Sequence, residues 1–173
     1  MAVGLVDRPV RSQPPAPVRR GLLARRPDRP DPEQERLRRL DGARALLERA
    51  RALAAEGWVQ DAFYVVRGRH GETRPVSPLG LLLLSRTDVV GACLVGAVAH
   101  SSTRVDRRDR HGQAALAVDL LWEALAGGPV DTPHPAARSS RVRDLARWND
   151  QPGRSREDVL DLMDRAVSRT AVR

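Results

Sequence analysis

Apolar residues recur along this chain at two periods, and the change of period divides it. From Leu37 onward the spacing is three and four: Leu37, Leu40, Ala43, Leu47, Ala50 and Ala54 form one stripe of a helix. Asp31 as N-cap, Pro32 at the first helical position and Glu33 in the first turn predict its start, and Gly57 predicts its end. Trp58 is expected to fold back onto the core. From Val59 to Arg86 the helical period fails. Phe63-Tyr64-Val65-Val66 is β-prone, Arg67 to Gly71 reads as a turn, and Thr73 to Val76 reads as a returning strand, which together predict a small hairpin. The dense run Leu79 to Leu84 is expected to be buried, in a state that periodicity does not decide.

Beyond it the helical period returns. Asp88 is read as the cap of a helix running to about Ser101, with Val90, Leu94, Ala97 and Val98 on one face and Gly91 and Gly96 permitting close packing. Ser102 to Gly112 reads as a polar loop. Gln113 to Ala126 is helical, with Ala114, Ala117, Leu121, Trp122 and Leu125 inward, and Gly127-Gly128-Pro129 stops it. Ser140 is read as the cap of a short helix whose apolar edge is Val142, Leu145 and Trp148, ending near Asn149. Ser155 with Asp158 is an acidic variant of the capping box, opening a last helix along Val159, Leu162, Met163, Ala166 and Val167. The expected architecture is mainly α, a bundle-like domain of about five helices (residues 33–173) with one small hairpin.

Composition changes the picture at the N-terminus. Residues 1–32 hold seven of the thirteen prolines and seven Arg against three Asp. Such a segment buries too little apolar area to offset its ordering entropy, so it is read as a flexible arm. The chain carries +8 in total, and all 30 basic residues are Arg. Arginine suits phosphate, but a high-GC genome also turns Lys into Arg, so the missing Lys is weak evidence of a nucleic-acid partner. One cysteine excludes a disulfide framework and any multi-cysteine metal site within one chain. No secretory leader is visible. The longest apolar run, Val89 to Ala99, is about half of the ~20 residues a membrane span needs, so it reads as a buried core helix. A soluble, cytoplasmic protein is expected.

Chemistry is sparse. Cys93 and His100, placed seven residues apart on one helix, are too far separated to act as nucleophile and base, and a thiol in an apolar run reads as packing. His70, His100, His111 and His134 lack metal-ligand spacing. No phosphate-cradling glycine loop and no nucleophile elbow occurs, so no cofactor is called for. Ser140 to Ala166 could form a helix-turn-helix, but Glu157, Asp158, Asp161 and Asp164 deny its second helix a positive face. The most individual tripeptide is Trp148-Asn149-Asp150. It is a candidate partner or ligand contact. The bland reading has Trp148 as a core anchor, Asn149 in a left-handed C-terminal position and Asp150 capping the turn, and it is favoured.

Three segments resemble a family of small uncharacterised proteins from actinobacteria and their phages. They are Gly57-Trp58-Val59-Gln60, Cys93-Leu94-Val95-Gly96-Ala97, and Arg147-Trp148-Asn149-Asp150 followed by Ser155 to Leu160. The resemblance runs from about Leu37 to Val167. It implies one helical domain in a family of unknown function, and carries over no reaction or ligand.

Three functional readings follow. The first is a non-catalytic interaction or regulatory module acting through contacts with another protein. The second is non-specific nucleic-acid binding through Arg19, Arg20, Arg25, Arg26 and Arg29 of the arm, helped by the Arg104–Arg110 loop. The third is a small enzyme whose site is assembled across helices, including Asp61, His100 and Asp150.

Overall fold

Asp31 opens helix α1 (Pro32–Gly57) by accepting a hydrogen bond from Glu33 N at 3.1 Å, as its place before a proline predicts. The computed structural model describes residues 31–81, 89–128 and 135–171. The five candidate arm arginines Arg19, Arg20, Arg25, Arg26 and Arg29 lie outside them. Leu40, Ala43, Leu46, Leu47, Ala50 and Ala54 form the buried stripe of α1. Leu37, expected to begin it, is 47% exposed. The first two turns carry the exposed pairs Glu33–Arg36 and Glu35–Arg39, which contribute little to stability. Gly57 ends the helix, but with the following Trp58 extended. A glycine is needed there because a Cβ would lie 2.1 Å from the Val90 carbonyl oxygen.

The expected hairpin is present. Strand β1 (Tyr64–Arg67) pairs antiparallel with β2 (Thr73–Val76), Tyr64 opposite Val76. The single turn α2 (Pro78–Leu81) follows, and in it Leu79 is 77% exposed rather than buried. The rest of that apolar run, and the expected cap Asp88, lie outside the described residues.

Val89–Ala92 departs from the sequence reading. It is strand β3, on the other side of β1, giving the order β2-β1-β3 with a bulge at Val65/Val66. Two β-branched residues before a glycine suit a strand, and Gly91 lets it approach α1: a Cβ there would lie 2.9 Å from the Gly57 oxygen. Helix α3 (Leu94–Ser102) therefore begins only after Cys93.

Helix α4 (Arg107–Ala126) also starts earlier than expected. Asp106 caps it, accepting from Arg108 N at 2.9 Å, so half of the supposed loop at 102–112 is helical. It ends, as expected, at Gly127 in the left-handed conformation, φ 80°. Helix α5 (Pro135–Asn149) begins at a proline, which fits a first helical turn, and Ser140 is internal rather than a cap. Helix α6 (Arg156–Ala171) opens with the predicted reciprocal box: Ser155 N donates to Asp158 Oδ2 at 2.9 Å, and Asp158 N donates to Ser155 Oγ at 3.1 Å. Those bonds hold the Asp158 carboxyl below its ordinary pKa.

The fold is thus mainly helical, with six helices among the described residues, one of them a single turn, and a small three-stranded sheet. Helix α1 packs against α3, α4 and α6, and α5 closes the bundle against α3 and α4. Buried Asp119 of α4 accepts from both Arg138 and Arg141 of α5, at 2.9 and 2.6 Å. Two cations on one carboxylate, in a partly desolvated place, fix the α4–α5 register. The three tryptophans are half-buried at the margin of the core instead of filling it.

Candidate functional site

A buried amide sits where the three resemblance segments meet. Asn149, the last residue of α5, is completely buried. Its Oδ1 accepts from Trp58 Nε1 at 2.8 Å and from Leu94 N at 3.0 Å. Its Nδ2 donates to Val59 O at 3.1 Å and to Asp150 Oδ1 at 2.7 Å. Gln60 Nε2 adds bonds to the carbonyls of Asn149 and Gln151, each 3.0 Å. An isolated buried amide is costly, and one with four partners is a joint. It ties the exit of α1, the start of α3 and the end of α5 to a single point.

That joint positions a cleft. Asp61 and Asp150, from different segments, are brought together because Asp61 N donates to Asp150 Oδ1 at 3.1 Å. Asp61 is held at φ 55°, in the left-handed region that a non-glycine residue seldom enters. Asp61, Ala62, Phe63, Cys93, Ala146 and Asp150 line a cavity of about 260 Å3. A second cavity of about 250 Å3 shares Asp61, Ala62 and Phe63 and is closed by Pro75, Val76 and Ser77. Phe63, just before β1, is 37% exposed between the two. Cys93 N donates to Phe63 O at 3.1 Å, which fixes that segment against the start of α3.

The Cys93 thiol is 4% exposed, as expected of a lone apolar-flanked cysteine. It is also the N-cap of α3: Gly96 N donates to Sγ at 3.3 Å. Burial pushes its pKa up, Asp150 pushes the same way, and the Gly96 N–H pulls against them. The sulfur is therefore a neutral thiol at ordinary pH, a poor nucleophile despite its place at a helix N-terminus. Gly96 allows this geometry, since a Cβ there would stand 2.2 Å from Phe63 O.

The sequence candidates separate clearly. Asp61 and Asp150 meet; His100 is in the last turn of α3, at the opposite end from Cys93, with its ring edge-on to Tyr64 at 6.4 Å between centroids. Trp148 is half-buried beneath the Arg154 guanidinium, 4.0 Å above its ring. Asn149 is helical and fully used inside, not left-handed; the left-handed residue is Asp61. Of the tripeptide, only Asp150 reaches the cleft wall. Phe63 and Gln60 went unnoticed as site residues because nothing in their local spacing signals them. Among the described residues no group of His, Cys, Asp and Glu is arranged to hold a metal, and no helix is long and apolar enough to cross a membrane.

Comparison with known proteins adds the family. The model of a family of unknown function (DUF6197) matches residues 34–169, and the chain belongs to it. No curated protein and no solved structure matches the chain.

Proposed function

We propose that this protein is a binding module acting through protein contacts, and that the cleft at the start of α3 receives a cationic side chain with an apolar neighbour from the partner. The observation that carries this reading is the half-exposed Phe63 between two cavities, one of which Asp61 and Asp150 both line. On a chain of net charge +8, two aspartates lining one cavity with Phe63 form a local acidic spot. A guanidinium can lie on the Phe63 face and donate to Asp61, combining cation–π and charge-assisted contacts. The neutral, buried thiol supports recognition over nucleophilic chemistry in this cleft.

The test is a set of immobilised short peptides carrying Arg or Lys beside an apolar residue, compared with the same set carrying Glu. Binding restricted to the cationic set, and lowered roughly tenfold or more by Asp61→Asn or Phe63→Ala, is the expected result. Equal binding to both sets, or binding untouched by both substitutions, overturns the reading.

A second reading keeps the arm. Seven Arg within residues 1–32, with the exposed Arg104, Arg107 and Arg108 around the α4 N-terminus, favour electrostatic contact with nucleic acid. Its mark is a steep fall of affinity with salt that disappears when residues 1–30 are removed. Unchanged binding by the truncated chain eliminates it.

A further inference from the structure

The other end of α3 holds a cavity of about 370 Å3 that the acidic cleft does not explain. One wall is the α1 face Arg49, Leu53 and Glu56; the opposite wall is His100, Ser101 and Arg104 from the last turn of α3 and its exit. Arg49, Leu53 and Glu56 are spaced four and three residues apart, so they share one face of α1. The volume falls in the range of small-ligand sites.

Arg49 brings a guanidinium to the α1 wall of the cavity. Its Nε is buried and has no hydrogen-bond partner among the described residues. Arginine loses little by standing in water, but a guanidinium N–H hidden from water without an acceptor is expensive. Backbone carbonyls at the end of α3 have donors of their own. His100 O receives Thr103 N at 3.1 Å and Thr103 Oγ1 at 2.6 Å, Ser101 O receives Arg104 N at 3.3 Å, and Ser102 O receives Val105 N at 3.1 Å. Arg110 Nη2 covers Thr103 O at 3.1 Å. The carbonyls at the α3 C-terminus, whose partial negative charge would oppose an anion, are thereby occupied. With Arg49 and Arg104 against the single Glu56, the cavity wall carries net positive charge.

We infer that this cavity is a binding site for a small ligand bearing an oxyanion, a phosphate or a carboxylate, held between Arg49 and Arg104. The planar guanidinium forks match either group bidentately, and burial beside Leu53 strengthens such bonds. Buried Ser101 and His100 form the floor. Glu56 on the rim disfavours a second negative charge there and suits a neutral or donor-bearing remainder of the ligand.

The test uses the full chain, labelled with 15N, and follows the Arg49 Nε–H resonance during titration with sodium phosphate or sodium acetate, each against sodium chloride at equal ionic strength. A saturable shift with phosphate alone assigns a phosphate ligand, and one with acetate alone assigns a carboxylate. Saturation by both leaves the shared oxyanion chemistry in place. Arg104→Gln, an exposed substitution that leaves the fold intact, is expected to weaken the saturating anion roughly 10- to 100-fold, and Glu56→Gln to tighten it a few-fold. No saturable shift with either anion, or one indifferent to Arg104→Gln, overturns the site.

Discussion

The two ends of α3 use their polar groups in opposite ways. At the start, the Asn149 amide has four partners and Asp150 Oδ1 accepts twice, so the polar groups are committed to holding segments together. At the finish, the helix carbonyls are capped, yet Arg49 Nε is buried with nothing to bond. Both ends respect the helix dipole, carboxylates near the N-terminus and arginines near the C-terminus, so charge sign alone does not separate structure from function. Bonding differs: the Asn149 amide is fully partnered, whereas Arg49 Nε is not, a state it shares with Arg110 Nε and with Arg138 Nε beside Asp119.

The sharpest way to break that distinction is at Asn149. Asn149→Ala leaves Trp58 Nε1, Leu94 N and Val59 O without their buried partner, and is expected to cost about 3–4 kcal/mol, measured by urea denaturation. Asn149→Asp keeps the acceptor but removes the donor to Val59 O and sets a carboxylate against Asp150. It should be destabilised nearly as much at neutral pH and recover part of the loss under acid conditions. A cost below ~1 kcal/mol for either variant would mean the joint is ornamental.

Next comes Gly96→Ala. In an unconstrained helix the change favours folding by about 1 kcal/mol. Here the new Cβ meets the Phe63 carbonyl at 2.2 Å, a backbone atom that cannot swing aside. The net expectation is a loss of about 2–3 kcal/mol with displacement of Phe63, read from thermal unfolding and from the Phe63 ring resonances.

Legibility in the sequence followed the range of the interaction. Caps are local: Asp31, Gly127 and the Ser155–Asp158 box could be read from neighbours within four residues, and all three are where the pattern placed them. The hairpin was legible for the same reason. Val89–Ala92 was not, because an apolar run before a helix has no period of its own, and its partner β1 is more than twenty residues away. The Asn149 joint was further out of reach. Three of its four partners lie 55 to 91 residues off, so local reading could only offer a helix-ending role for a residue that is in fact a tertiary hinge-pin. The Arg49 cavity is invisible for the opposite reason: in a chain with 30 arginines, no spacing distinguishes a buried one.

Tyr64 touches both ends, and its titration gives a milder test. Its pKa is pushed up to about 12, chiefly by burial and further by Cys93, from the ordinary value of 10.0. The unfolded chain thus releases the phenol proton first and binds fewer protons than the folded one, so stability falls as pH rises. Cys93, also raised, acts in the same direction. The unfolding midpoint is expected to decline steadily between pH 10.0 and about 12, with Tyr64→Phe flattening the slope. A slope unchanged in Tyr64→Phe would place the alkaline sensitivity elsewhere.

The smallest effect on stability is the most informative about the acidic cleft. Asp61 stands at φ 55°, a conformation that costs a non-glycine residue about 1 kcal/mol, less for Asp than for most because its side chain tolerates it. Asp61→Gly relieves that cost but gives the unfolded chain more freedom, so the net gain should stay under ~1 kcal/mol. Asp61→Asn keeps the left-handed tolerance and should change stability hardly at all. Both remove the carboxylate beside Asp150 while leaving the Asp61 N–H to donate to it. If the cleft receives a cationic side chain, the two variants lose binding together while only the glycine variant shifts in stability. If Asp61 is only a turn residue, the glycine variant is a modest improvement and nothing else changes. Measuring chemical denaturation and peptide affinity on the same pair separates a strained residue kept for contact from one kept by the turn, because backbone relief and charge loss enter the two readouts independently.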